Sequence, residues 1–273
     1  MQVLFQVGSN PQENKYYLSI YFINFKKNNL MKNITQILSL VSIAALVLFQ
    51  TSCKEEHKHE HELALEISYK VGNSNFDSST VYTIGGTAIK FKTAHFYVSN
   101  IGIMDDESRS ETFENTYLLV TPYQTEYNLG MISNSDIHHL HEISFNVGID
   151  SVTNHKDPTA ATGVLTIQSP SMHWSWNSGY IFLRIDAIVD RDADGIPETN
   201  CFYHIGTDSR LANVMKTTHM DLVDGHNHIM MNFDLANLFT GVNLATAATS
   251  TMTADPSLAD AIEANIPSAF IIP

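Results

Sequence analysis

From residue 63 onward the chain is patterned with a period of two. Leu63, Leu65, Ile67, Tyr69 and Val71 alternate with Ala64, Glu66, Ser68 and Lys70. Ile143, Phe145, Val147 and Ile149 alternate with Glu142, Ser144, Asn146 and Gly148. Ile181, Leu183, Ile185, Ala187 and Val189 stand opposite Arg184 and Asp186, and Ile229, Met231, Phe233 and Leu235 repeat the pattern. Successive side chains of a strand point to opposite faces, so each run predicts a strand with one buried face. Less regular strands are predicted at 87–92, 95–103, 116–121, 163–168 and 201–205, separated by Gly, Asn, Asp and Pro clusters. So many short strands predict an all-β fold, an antiparallel β-sandwich. Helix is predicted only late. Asp255 can cap a helix that has Pro256 at its first position, with Leu258, Ile262 and Ile266 on one face. A short turn of helix is expected over 235–240. With no internal repeat and no long linker, residues 63–273 read as one domain with a short C-terminal helix.

The first 62 residues follow a different logic. Met31, Lys32 and Asn33 open a short basic stretch, and an apolar run from Ile34 to Phe49 ends at Gln50-Thr51-Ser52-Cys53. That is the order of a signal peptide, placed at 31–52, and the apolar run is short for a membrane-spanning helix. Cys53 behind small residues resembles the lipobox of bacterial lipoproteins, which makes Cys53 the expected lipidation site and the membrane the expected partner through that anchor. Residues 1–30 fit neither part and read as a start-codon overcall, with Met31 as the start. Residues 53–62 contain Lys54-Glu55-Glu56 followed by His57, His59 and His61, and predict a polar tether. Its three alternate histidines could gather a metal ion, or could simply be solvated. The expected location is extracytoplasmic, on an outer-membrane lipoprotein facing the periplasm or the cell surface.

Composition narrows the function classes. The chain has 273 residues, 44% of them hydrophobic, enough for a substantial core. It carries 29 acidic and 15 basic residues, a net charge of −14, which argues against nucleic acid as a partner. Two cysteines cannot build a four-Cys zinc site or an iron–sulfur cluster. With Cys53 acylated, Cys201 becomes a lone thiol, expected to be buried as a small hydrophobe. No nucleophile elbow, phosphate loop, His-Glu-x-x-His or dinucleotide fingerprint occurs, so a non-enzymatic role is expected.

The densest chemistry is at Ser171-Met172-His173-Trp174-Ser175-Trp176, which holds both tryptophans. Imidazole suits copper and zinc, and a thioether such as that of Met172 selects Cu(I). In a regular strand, however, His173 and Trp174 point to opposite faces, and aromatics in strands usually pack a core. His204 lies in an apolar setting, Cys201-Phe202-Tyr203-His204-Ile205, where a satisfied core histidine is the plainer reading. Asp190, Asp192 and Asp194 precede Gly195 with the spacing of half a calcium loop, but the twelfth position is Cys201 rather than Glu. An acidic turn closed by Asx hydrogen bonds explains the same residues.

Several of these pieces, in order, resemble the MbnP-like family of extracytoplasmic copper-binding proteins. They are His95-Phe96-Tyr97-Val98-Ser99-Asn100-Ile101, Ile143-Ser144-Phe145-Asn146-Val147-Gly148-Ile149-Asp150, Met172-His173-Trp174-Ser175-Trp176, Gly179-Tyr180-Ile181-Phe182-Leu183, Tyr203-His204-Ile205-Gly206, and Asn265-Ile266 with Phe270. The resemblance implies a β-sandwich that holds one copper, expected as Cu(I), through two histidines. It implies His173 and His204 as ligands, with His95 and Met172 as weaker candidates. It also implies that a tryptophan near the site, Trp174 or Trp176, is oxidised to kynurenine by a di-haem enzyme of the cytochrome c peroxidase type. The rival expectation is a surface interaction module that binds a glycan or protein through exposed Trp174 and Trp176.

Overall fold

The computed structural model describes residues 60–175, 178–247, 249–251 and 254–273. The expected signal peptide, Cys53, His57, His59 and Trp176 lie outside the described residues.

Among the described residues, fourteen strands build two sheets. In chain order they are β1 (His61–Val71), β2 (Ser74–Asn75), β3 (Tyr82–Ile84), β4 (Thr87–Met104), β5 (Ser110–Phe113), β6 (Leu118–Val120) and β7 (Glu126–Met131), then β8 (His139–Val147), β9 (His173–Ser175), β10 (Gly179–Val189), β11 (Thr199–Gly206), β12 (Ala212–Asp221), β13 (Gly225–Asp234) and β14 (Phe270–Ile271). The smaller sheet runs β14-β13-β1-β2, with β7 also on β1. The larger runs β11-β10-β4-β8-β12, with β3, β5 and β6 on β4 and β9 on β10. Among the described residues, three α-helices complete the frame: α1 (Ser151–Asn154), α2 (Leu235–Leu238) and α3 (Pro256–Ala269).

The alternation seen in the sequence is what closes the sandwich. Leu63, Leu65 and Ile67 of β1 and Ile229, Met231 and Phe233 of β13 are buried in one cluster with Phe96, Phe145, Ile185 and Tyr203 of the larger sheet. Phe233 lies 4.5 Å from Phe96 and Phe270 lies 5.0 Å from Phe145, ring centre to ring centre, so aromatics pin the two layers together. Each such fully buried apolar side chain contributes on the order of 2 kcal/mol. α3 forms where the caps predict it. Asp255 Oδ1 accepts from the Leu258 amide at 3.1 Å, and Leu258, Ile262 and Ile266 are buried.

Four differences from the sequence expectations have physical reasons. β1 pairs β13 in parallel, although nearly all other ladders are antiparallel. Periodicity specifies a face and not a partner, so direction was not readable. The strands expected at 87–92 and 95–103 are one long strand, β4, which bends through register shifts and serves five neighbours. The strand expected at 163–168 is instead a 3-10 turn at Gly163–Leu165, where Gly163 takes a positive φ of 61°. The tether expected over 53–62 ends early, because β1 already includes His61 and Glu62.

Candidate metal centre

Alternation also decides which residues leave the core. On β10, Leu183, Ile185 and Ala187 face inward, so Tyr180, Phe182, Arg184 and Asp186 share the outer face of the larger sheet. On β4, Ala94 and Phe96 face inward and His95 and Tyr97 outward. On β11, Cys201, Tyr203 and Ile205 face inward, which turns His204 and Gly206 outward. The ladders set these in register: Arg184 pairs His95 on one side and His204 on the other.

A second, smaller core covers part of this face. Tyr97, Ile149, Met172, Tyr180 and Phe182 are buried together, with Val164 and Leu165 packed over them. The Tyr97 hydroxyl donates to the Val164 carbonyl at 3.2 Å and the Tyr180 hydroxyl to that of Leu165 at 2.8 Å, tying the 163–165 turn onto the sheet. Met172, expected as a weak ligand, is a buried packing residue of this cluster.

β9 folds onto the same face. His173 pairs Tyr180 across the ladder, and their rings meet edge to face at 4.8 Å. The turn into β10 depends on Gly179 at φ +72°; a Cβ there would collide with the Asn154 side chain, whose Oδ1 accepts from the Tyr180 amide at 2.8 Å. Trp174 lies over Gly206. A Cβ at Gly206 would stand 2.8 Å from Trp174 Cζ3 and 2.8 Å from the Tyr180 carbonyl oxygen. The structure therefore sets Trp174 beside β11, two residues along the strand from His204. Trp174 is half-buried on that seat, which does not suit the exposed platform expected of an interaction module.

The electrostatics prepare two imidazoles differently. His204 Nε2 lies 2.6 Å from Asp186 Oδ1, while Asp186 Oδ2 accepts from Arg184 Nε at 2.9 Å and Nη2 at 2.7 Å. Arg184 Nη1 donates to the Ser171 carbonyl at 2.7 Å, so the guanidinium is committed on both sides. Burial alone would raise the Asp186 carboxyl, but hydrogen bonds from His204 and Arg184 and the guanidinium charge hold it below the usual carboxylate range. His173 is lowered by burial, and its Nε2 is buried with no hydrogen-bond partner among the described residues. His95 is lowered by burial and then by the Arg184 charge, with Asp186 opposing. It is also separated from His204 by the Arg184 strand.

Those donors fit a metal that takes neutral imidazole. A buried ring nitrogen without a partner is costly unless something accepts its lone pair. In His204, Asp186 takes Nε2 and leaves Nδ1 as the nitrogen outside that bond, the arrangement of a carboxylate–histidine–metal unit. The other sequence candidates resolve separately. His61 is no tether residue: it is 2% exposed in β1, with Nδ1 2.8 Å from the Val223 carbonyl. Asp190, Asp192, Asp194 and Glu198 do bring one oxygen each within 4.8 Å of one another. Asp190 is buried, however, and its two oxygens already accept from the Ala193 and Gly195 amides, both at 2.8 Å, which favours the Asx turn. Cys201 is a buried free thiol, raised by burial.

A second imidazole group gathers elsewhere on the larger sheet. Asp106, His139 and His219 each offer a ligand atom within 4.8 Å of the others. His139 and His141 alternate along β8, which was the available signal, but His219 and Asp106 come from distant parts of the chain. Neither this group nor the acidic loop contains His173 or His204.

Comparison with known proteins bears on the whole described unit. The family model described as MbnP matches residues 60–253. The solved structure of MbnP from Methylosinus trichosporium is similar at a TM-score of 0.51 and 15% identity, covering 71% of this chain and 82% of that one. At that identity the likeness shows the fold. No curated protein matches the chain.

Proposed function

The chain belongs to the MbnP family, a copper-associated one, and on that premise we propose that it is a non-enzymatic copper-binding protein that captures, stores or hands over the metal. The observation that carries the reading is His173 Nε2, a buried nitrogen without a hydrogen-bond partner among the described residues, on the same sheet face as His204, whose ring Asp186 holds in place.

In this reading His173 and His204 are the two protein ligands. Two imidazoles without a strong third donor give low coordination, which favours Cu(I), whereas zinc usually takes four strong ligands. Asp186 and Arg184 act through His204: they fix its tautomer and rotamer without touching the metal. His95, one strand beyond Arg184, has no ligand role. Trp174, seated on Gly206, is the described tryptophan placed for oxidation beside such a metal, by a di-haem peroxidase-type partner. The protein would work outside the cytoplasm, anchored to a membrane through Cys53.

Native mass spectrometry of the processed protein, purified from its own host with metal retained, tests the proposal. It should show one copper, and a mass shift on the Met172–Tyr180 peptide would assign tryptophan oxidation to the site. A metal-free, unmodified protein that takes up no offered copper would overturn the reading.

A further inference from the structure

A second cluster of imidazoles lies on the other flank of β4. His139 and His141 project from one side of β8, around the buried Leu140. Across the ladder, Asp221 of β12 pairs His139, and an irregularity in β12 between Thr217 and Met220 brings His219 toward the same rings. Such irregularities re-aim a side chain that a regular ladder would direct elsewhere. Asp106, from the turn between β4 and β5, completes the group. The stretch of β4 between His95 and Met104 spans about 30 Å of extended chain, so this group is distinct from the His173/His204 centre.

The distances describe a coordination sphere better than a set of ion pairs. His219 lies 5.1 Å from His141 and 6.2 Å from His139, ring centre to ring centre. His139 Nε2 is 3.4 Å from Asp106 Oδ2. That is long for a charge-assisted hydrogen bond, but it is about the edge of a tetrahedron whose metal bonds are roughly 2.1 Å. His139 Nδ1 is meanwhile held 2.7 Å from Asp221 Oδ1, which directs its Nε2 toward Asp106 and His219. His141 Nδ1, 2.9 Å from Asp106 Oδ1, stands outside the three donors and is placed to orient the Asp106 carboxylate.

We propose that Asp106, His139 and His219 bind a divalent ion of borderline softness, Zn2+ or Cu2+. Mixed imidazole and carboxylate donors suit either ion and do not select Cu(I). The site is half-exposed and would exchange its metal with solvent readily.

The test is titration of the full-length, metal-stripped protein with zinc chloride, and separately with copper(II), read by calorimetry and by metal content after desalting. His139→Ala/His219→Ala should lose one equivalent of zinc relative to wild type. His173→Ala/His204→Ala should keep that equivalent, which separates this site from the copper centre. Asp221→Asn leaves all three donors in place and should weaken zinc binding roughly 10–100-fold, as loss of an outer partner does. It decides the matter should the double variant fold poorly by circular dichroism. The same zinc stoichiometry in wild type and His139→Ala/His219→Ala, or unchanged affinity in Asp221→Asn, would overturn the proposal.

Discussion

The two imidazole groups of the larger sheet differ in depth and in what holds them. The His173/His204 group lies under β9 and beside a second core. Burial lowers His173, and Asp186 and Arg184 lock His204. The Asp106/His139/His219 group lies at an open edge, with Asp221 itself largely exposed. Preorganisation reduces the cost of ordering ligands on binding, so depth should translate into affinity and exposure into exchange. On the proposed reading, the same residue types would give a retentive site in one place and an exchangeable one in another.

The largest effect should come from removing a deep ligand. His173→Ala or His204→Ala is expected to lower copper affinity by more than the roughly 10–100-fold that an outer partner costs. Competition against a Cu(I) chelator measures this. Equal losses from the β8 histidines would erase the distinction between the groups.

Asp186→Asn comes next. It leaves both ligands in place but strips Arg184 and His204 of their shared carboxylate. Copper affinity should fall about 10–100-fold, and unfolding in urea should show a loss of about 3 kcal/mol, as when one partner of a buried pair is removed. Because the folded Asp186 titrates below its ordinary value, its contribution is fully present above about pH 3.9 and is lost as pH falls through the folded value. The asparagine variant should therefore lose less stability on acidification than wild type.

Gly206→Ala probes the Trp174 seat. The added methyl meets both the indole and a backbone carbonyl, so about 1–3 kcal/mol of overpacking is expected, with a shift in tryptophan emission. An unshifted spectrum at unchanged stability would mean that Trp174 does not rest there.

The histidines give a milder pH signature. His95 and His173 are both lowered in the fold, so the unfolded chain binds more protons between their folded values and about 6.5. Stability of the metal-free protein should rise with pH across that window, and His95→Gln/His173→Gln should flatten the rise in urea midpoints. Smallest is Asp190→Ala, which frees two loop amides at a cost of about 1–2 kcal/mol with or without calcium. A stabilisation by calcium that this variant abolishes would restore the cation reading of the loop.

Much of the fold was legible because a half-buried sheet enforces alternation. β1, β8, β10 and β13 were visible that way, as was the cap of α3. Pairing was not legible: nothing in Leu63–Val71 or Ile229–Leu235 marks a parallel ladder, and the 163–168 stretch lacks the context of the Tyr97 and Tyr180 hydroxyls that shape it into a turn. The site divides similarly. His173, Trp174 and His204 drew notice by residue type. Asp186 and Arg184 read only as the polar face of a strand, since their role depends on lying in register with His204. His61 looked like tether because its burial depends on Val223, far along the chain.

The central claim is that His173 and His204 together hold copper. X-ray absorption on the full-length protein loaded with one equivalent of Cu(I) tests it most directly. The account predicts two imidazole scatterers at the metal, reduced to one in His173→Ala and in His204→Ala, with no change in His139→Ala/His219→Ala. A spectrum that keeps both imidazoles when His173 and His204 are both replaced would contradict it.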